Sequence, residues 1–329
     1  MSQIARKIMS HVLHPISITR ELLGLNGTFL RAARGCRILI YHGICEQDPL
    51  LFNTLFVTRE RFESQLRFFK RYFHLISLDD FYAGNFREDR FNLCLSFDDG
   101  FANNHRHVLP LLQEYEAPAA FFVTAIRETG QDILWNDYLT IASRQGPEQL
   151  AYHNETWYKK AGKRYVNASG KVLAETLRDK GFEDKRSLMQ ALPATFKQDK
   201  RLTDYWLQMT PQQLQEMAVS PWVTIGSHGY YHNDLAKIPR EAMLQELSAS
   251  KNYLEQIIQK PVTALAFPYG SYSRAVVEDA ISAGYTQLLA AEFIPGQEPH
   301  PALRARMGIN PFISTQSQAI ATVKGKYYE

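Results

Sequence analysis

Short apolar runs, each closed by a polar turn, alternate along this chain with segments whose apolar residues return every three or four positions. Runs of that length read as strands, and the three-to-four spacing reads as amphipathic helix. The strands predicted are 37–41, 93–97, 119–123, 222–226, 262–267 and 285–290. Over 58–73, Phe62, Leu66, Phe69 and Phe73 trace a helical stripe. Over 240–258, Leu244, Leu247, Lys251, Leu254 and Ile258 trace another, with the lysine stem able to snorkel. Thr210-Pro211-Gln212-Gln213 reads as an N-cap, an N1 proline and a capping-box glutamine. Strands alternating with helices imply a mainly parallel α/β architecture.

Residues 132–209 break this rhythm. They are polar, hold Trp135, Trp157 and Trp206, and contain only short strand-like runs at 155–158 and 164–166. They read as an insertion, either shaping a cleft or forming a surface excursion. The organisation expected is a basic extension over 1–36 and one domain over 37–329 carrying the insertion 132–209.

Composition narrows the class. The chain has 329 residues, 45% hydrophobic and 22% charged, which suits a globular protein with a large core. A net charge of +3 gives no support to a nucleic-acid partner. No stretch approaches the ~18 consecutive apolar residues of a membrane span. Positive charge is concentrated at the start, where Arg6, Lys7, Arg20, Arg31, Arg34 and Arg37 face only Glu21. Such a leader suits peripheral contact with an anionic membrane, or a helix packed on the main domain with a solvated basic face. Charged residues and Pro15 interrupt 4–25, so no clean secretory apolar core is present. Cys36, Cys45 and Cys94 lack metal or redox spacing and are odd in number. These features lead us to expect a cytoplasmic protein with free thiols.

The candidate chemistry lies at strand ends. Asp98-Asp99-Gly100 closes 93–97, and Ser227-His228-Gly229-Tyr230-Tyr231-His232 closes 222–226. Tyr41-His42-Gly43 and Pro268-Tyr269-Gly270 close two further strands. In a parallel barrel those ends share one face, the face that holds active sites. Adjacent carboxylates are costly to desolvate unless a cation or polarised network compensates. One carboxylate and two imidazoles form a three-ligand site suited to a divalent transition ion, leaving the other aspartate to handle a proton. The plainer reading is a solvated aspartate turn and two histidines on a helix face.

Three motifs, Ser96-Phe97-Asp98-Asp99-Gly100, Ser227-His228-x-x-x-His232 and Phe267-Pro268-Tyr269-Gly270, resemble in type, spacing and order those of the polysaccharide deacetylases of carbohydrate esterase family 4. The resemblance to these NodB-type domains implies a distorted (β/α)7-type barrel, here with an insertion and an N-terminal helical extension. It implies that Asp99, His228 and His232 bind a divalent metal, Zn2+ foremost and Co2+, Ni2+, Mn2+ or Fe2+ as alternatives, with Asp98 as general base. The run Ile38-Leu39-Ile40-Tyr41-His42 resembles the circularly permuted branch, where a histidine near the N-terminus is the general acid. That role falls on His42, whose alternative is a core histidine bonded to a carbonyl. Tyr269, Pro268, Trp135 and Tyr231 are candidates to contact substrate, within a wider aromatic set of Phe101, Tyr230 and Tyr272.

Two departures stand out. Gly229 replaces the hydroxyl residue that often follows the first metal histidine, and Ala266-Phe267 occupies the place of an arginine that orients the base. Asp98 then needs Arg304 or Arg306 as partner. The function expected is metal-dependent removal of N-acetyl groups from an amino-sugar glycan or a nucleotide- or lipid-linked precursor. The alternatives are an O-acetyl esterase on the same metal site and a non-catalytic glycan-binding protein, for which the missing arginine is the best support.

Overall fold

The computed structural model describes residues 25–160 and 164–327. Most of the basic extension therefore lies outside the described residues. Its last part forms helix Leu25–Ala32, which packs against helix Thr315–Lys324.

The central sheet is built from β1 (Gly35–Tyr41), β2 (Phe73–Leu75), β3 (Phe91–Phe97), β4 (Ala119–Val123), β5 (Val223–Ser227), β6 (Ala264–Ala266), β7 (Gln287–Ala290), β8 (Leu303–Ala305) and β9 (Met307–Gly308). Its order is β8-β7-β6-β5-β4-β3-β1-β9, with β2 beside the first half of β3. Every pairing is parallel. β8 and β9 are one extended run broken at Arg306. Before the break the run pairs with β7 and after it with β1. The Arg306 amide donates to the Ala290 carbonyl at 3.0 Å and the Ile309 amide to the Ile40 carbonyl at 3.0 Å. This run brings the two edges of the sheet together as a distorted barrel.

Alternation along the strands separates two packing environments. Leu39, Leu95, Phe97, Phe121, Leu265 and Leu288 pack with Phe62, Leu66, Phe69, Leu247 and Leu254 from the surrounding helices. The opposite set, Ile38, Cys94, Ala120, Phe122, Ala264, Ala266 and Leu289, packs together. Small residues dominate that second set, as a narrow interior requires. Gly226 belongs there because a Cβ would stand 2.6 Å from the Phe122 ring and 3.0 Å from the Ala264 carbonyl oxygen.

The six predicted strands exist, with ends shifted by at most a few residues. Phe73 opens β2 instead of ending the preceding helix, Arg59–Tyr72, since a buried aromatic fits both patterns. Thr210 and Gln213 form the capping box expected of them. On helix Arg240–Ile258 the buried face runs through Met243, Glu246, Leu247, Ser250, Leu254 and Ile258. It is thus turned slightly from the predicted stripe and includes an acid.

Between β4 and β5 the chain forms helices and a three-stranded antiparallel sheet, Gln149–Tyr152, Glu155–Lys160 and Arg164–Asn167. Trp135, Trp157 and Trp206 are buried in a second core cluster that also includes Cys45, Phe56 and Phe101, and against which Tyr269 packs. The three cysteines form no disulfide. Among the described residues no helix is long and apolar enough to cross a membrane.

Candidate active site

Parallel pairing brings the C-terminal ends of β1, β3, β4, β5 and β6 to one end of the barrel. Tyr41 is level with Phe97, Phe97 with Phe121, and Ser227 with Val123. The turns that follow are tied together by backbone bonds. The Asp98 amide donates to the Tyr41 carbonyl at 3.0 Å and the His228 amide to the Val123 carbonyl at 2.8 Å. Asp99, His232 and Tyr269 have φ of 76°, 56° and 61°. Left-handed backbone outside glycine costs on the order of 1–2 kcal/mol per residue, and such strain collects at functional sites. Gly100 continues the turn at φ 77°, where a Cβ would stand 2.8 Å from Val123 Cγ1. The two histidines lie on a loop, not a helix face, and His232 reaches the site because the chain turns left-handed there.

One ligand atom each from Asp99, His228 and His232 lies within 4.8 Å of the others, and all three residues are buried. The Asp99 Oδ1 atom is 3.4 Å from His228 Nε2 and 3.2 Å from His232 Nε2. His228 Nδ1 is 2.7 Å from the Ala266 carbonyl oxygen. A carbonyl only accepts, so Nδ1 carries the hydrogen and directs the Nε2 lone pair at the carboxylate. Two electron-rich atoms facing each other at this range need a cation or a proton between them. Two imidazoles and a carboxylate fit a zinc-type ion.

Asp98 points elsewhere. Its Oδ1 and Oδ2 accept from Arg306 Nη1 at 2.7 Å and Nη2 at 2.8 Å, a two-pronged pair with both partners buried. Arg306 Nη1 also donates to Ser96 Oγ at 3.1 Å, and its guanidinium sits 5.2 Å from the Phe122 ring centre. Arg304 is engaged with the Pro301 and Leu303 carbonyls. Of the two arginines named from sequence, Arg306 therefore meets Asp98.

Burial raises the Asp98 carboxyl, but the Arg306 charge, then His228, outweigh it, so its pKa lies below the usual value. Burial likewise opposes Asp99 ionisation, yet contacts from His228 and His232 hold its pKa well below the ordinary range. Burial pulls the His228 pKa down, and the nearby charges of Asp98 and Asp99 reverse this to a net rise. For His232 burial prevails and the pKa falls.

The remaining candidates occupy varied places. His42 is half-buried just beyond β1, close enough to contribute to the lowered pKa of both aspartates. Pro268 is buried beneath the Tyr269 turn, and the Tyr269 ring centre lies 4.7 Å from that of His232. Trp135 is buried in the first turn of helix Trp135–Gln145. Tyr231 stacks on Phe182, with centres 4.3 Å apart and planes 11° apart. Phe101 packs edge-on to Phe56 in the core, and Tyr272 stacks on Phe267. Glu246, Asn233, Asp234, Lys185 and Asp137 were not singled out from sequence. Glu246 carried the one legible signal, an acid one position before Leu247 on the stripe. Asp137 is buried, and desolvation followed by the Asp99 charge raises its pKa well above normal.

The sequence over residues 87–165 and 190–288 matches the family model for polysaccharide deacetylases. The chain belongs to the polysaccharide deacetylase family. Solved structures of similar fold include the Streptococcus pyogenes deacetylase PplD in complex with acetate, 18% identical at a TM-score of 0.57 over 88% of this chain and 97% of that one. IcaB from Ammonifex degensii is 15% identical, with a TM-score of 0.55 over 88% of this chain and 97% of that one. A de-N-acetylase from Aggregatibacter actinomycetemcomitans is 16% identical, with a TM-score of 0.52 over 85% and 95%. These identities speak to fold alone. No curated protein matches the chain. Membership agrees with the resemblance read from the three motifs, and the barrel with the fold it implied.

Proposed function

We propose that this family member hydrolyses N-acetyl groups on an amino-sugar glycan or glycan precursor. The observation that carries the reading is the convergence of Asp99, His228 and His232 donor atoms beside the Asp98–Arg306 pair. Asp99, His228 and His232 would hold a divalent ion, Zn2+ foremost, which polarises a carbonyl and acidifies water. Asp98 takes the proton of the attacking water as the carbon–oxygen bond forms. Its fixed place on Arg306 keeps the carboxylate ionised and aimed without a search through rotamers. The Tyr269 backbone N–H is the candidate donor to the developing oxyanion, a contact worth ~3–4 kcal/mol where measured. His42 protonates the nitrogen, so that the product leaves as an amine. Tyr269, half-buried beside His232, is the aromatic ring that would pack on a sugar, whereas Trp135 is buried among the core residues behind it. The Arg306–Asp98 pair favours the catalytic reading over a non-catalytic one, since Asp98 has its arginine from the break between β8 and β9.

The test is metal content measured together with acetate release from N-acetylated sugars offered free, nucleotide-linked and lipid-linked. Stoichiometric metal with acetate release from at least one class is expected. Protein with no metal and no release sinks the proposal. The acid can be tested separately. His42→Ala should lower amide cleavage by ~10²-fold or more, because an amine is a poor leaving group without a proton. Loss on a matched O-acetyl ester should be much smaller. Equal losses on both, read from steady-state rates, would remove His42 from this role.

A further inference from the structure

Both candidate metal histidines are buried, but they are oriented differently. His228 is braced through its own ring by the Ala266 carbonyl. The Nδ1 atom of His232 is buried and has no hydrogen-bond partner among the described residues. No hydrogen bond to that nitrogen from the described residues sets the ring's direction, so apart from the edge-on contact with Tyr269 its place depends on the residues flanking it in the chain.

Those residues are held by the segment between β4 and β5. Arg178, ending helix Leu173–Arg178, donates from Nε and Nη2 to Asp234 Oδ2 at 3.1 and 2.9 Å, and the Asp234 side chain is fully buried. The same guanidinium lies 4.5 Å from the Tyr269 ring centre, so it also backs the ring that meets His232 edge-on. Lys185, on helix Phe182–Ala191, is fully buried and donates to Asn233 Oδ1 at 2.5 Å. Asn233 Nδ2 donates to Glu246 Oε1 at 2.6 Å, and Glu246 Oε2 accepts the Tyr230 and Tyr231 amides at 3.2 Å each. Phe182 stacks on Tyr231. His232 thus sits at φ 56° between neighbours fixed from both sides. A left-handed histidine is not held by its own backbone preference, so an external clamp is what keeps the imidazole in reach of Asp99.

We infer that Arg178 and Lys185 are positioning residues that hold the His232 loop in metal-binding geometry, so that the segment between β4 and β5 is part of the active centre. The inference rests on the proposed metal site. It is tested on the full chain with Arg178→Met, Lys185→Met, the charge-balanced pair Arg178→Met with Asp234→Asn, and the conservative Arg178→Lys. Zn2+ affinity is read by chelator competition, site geometry by the Co2+ visible spectrum, and folding by circular dichroism and thermal melting. Loss of an outer-shell support typically weakens metal binding by ~10–100-fold. We expect weakening of that order in both Met variants and an altered Co2+ spectrum. Arg178→Lys should recover part of the loss. The charge-balanced pair leaves no unpaired buried carboxylate, so it should regain thermal stability while metal binding stays weak. If folded variants bind Zn2+ as the unaltered chain does and give the same Co2+ spectrum, Arg178 and Lys185 are merely structural and the deacetylase reading stands. If the unaltered chain binds no metal, both ideas fall.

Discussion

Asp98→Asn should abolish measurable acetate release while leaving metal affinity close to that of the unaltered protein. Asparagine keeps the shape of the side chain and can still meet Arg306, but it cannot take a proton. A positioned base typically contributes ~10²–10⁴-fold to rate, so the loss should fall in that range or beyond. Asp99→Ala and His228→Ala should behave differently. Each removes one of three donors gathered within 4.8 Å, so metal should be lost together with activity. Equilibrium dialysis with metal analysis, run beside an acetate assay, separates the two classes. The proposed division between the aspartates would be reversed by metal loss in Asp98→Asn and retention in Asp99→Ala.

Arg306→Met should be the most destabilising single change near the site, and its effect should depend on pH. Removing one member of a buried ion pair leaves the other charged and unpaired, at a typical cost of ~3–5 kcal/mol. Arg306 also bridges Asp98 to Ser96 on β3 and sits at the break between β8 and β9 that completes the barrel. In the unaltered protein the folded pKa of Asp98 is depressed. Its ionised form therefore adds stability above the ordinary carboxylate pKa, and that stability is lost as pH falls through the lower folded value. Without Arg306, burial, the largest influence on Asp98, is opposed only by His228 and His42, so the carboxyl should be raised instead. The variant then gains stability relative to its neutral-pH state as pH falls through the raised value, because a protonated Asp98 needs no counter-ion. Urea unfolding at pH 7 and near pH 5 should show the gap between the two proteins narrowing toward acid. The acid limb of the rate profile should move to higher pH in the variant. A gap constant with pH would mean that Arg306 supports the barrel by packing alone.

Much of this molecule is written locally. Apolar runs closed by Asp98-Asp99, His228 and Pro268-Tyr269 mark buried strands ending in polar turns, and all three stand at one end of the barrel. Such patterns are legible because burial on a strand or helix repeats with the period of the backbone. Where one residue type serves two elements the reading slips, as with Phe73. The run at 303–308 gave no strand signal, being short, split by arginines and preceded by a polar loop. It is extended because β7 and β1 leave one gap between them and its backbone fills it.

Sequence alone determined the alternation of strands and helices and marked Asp98, Asp99, His228 and His232 as candidates, since each follows from residues close together in the chain, whereas the barrel class was implied by the resemblance of the three motifs. Tertiary structure alone decided that Arg306 and not Arg304 meets Asp98, and that Arg178, Lys185 and Glu246 surround the His232 loop. A charged residue buried against a partner 208 positions away has the same local composition as one facing water. Only the closure of the barrel and the folding of the 132–209 segment against it remove that water.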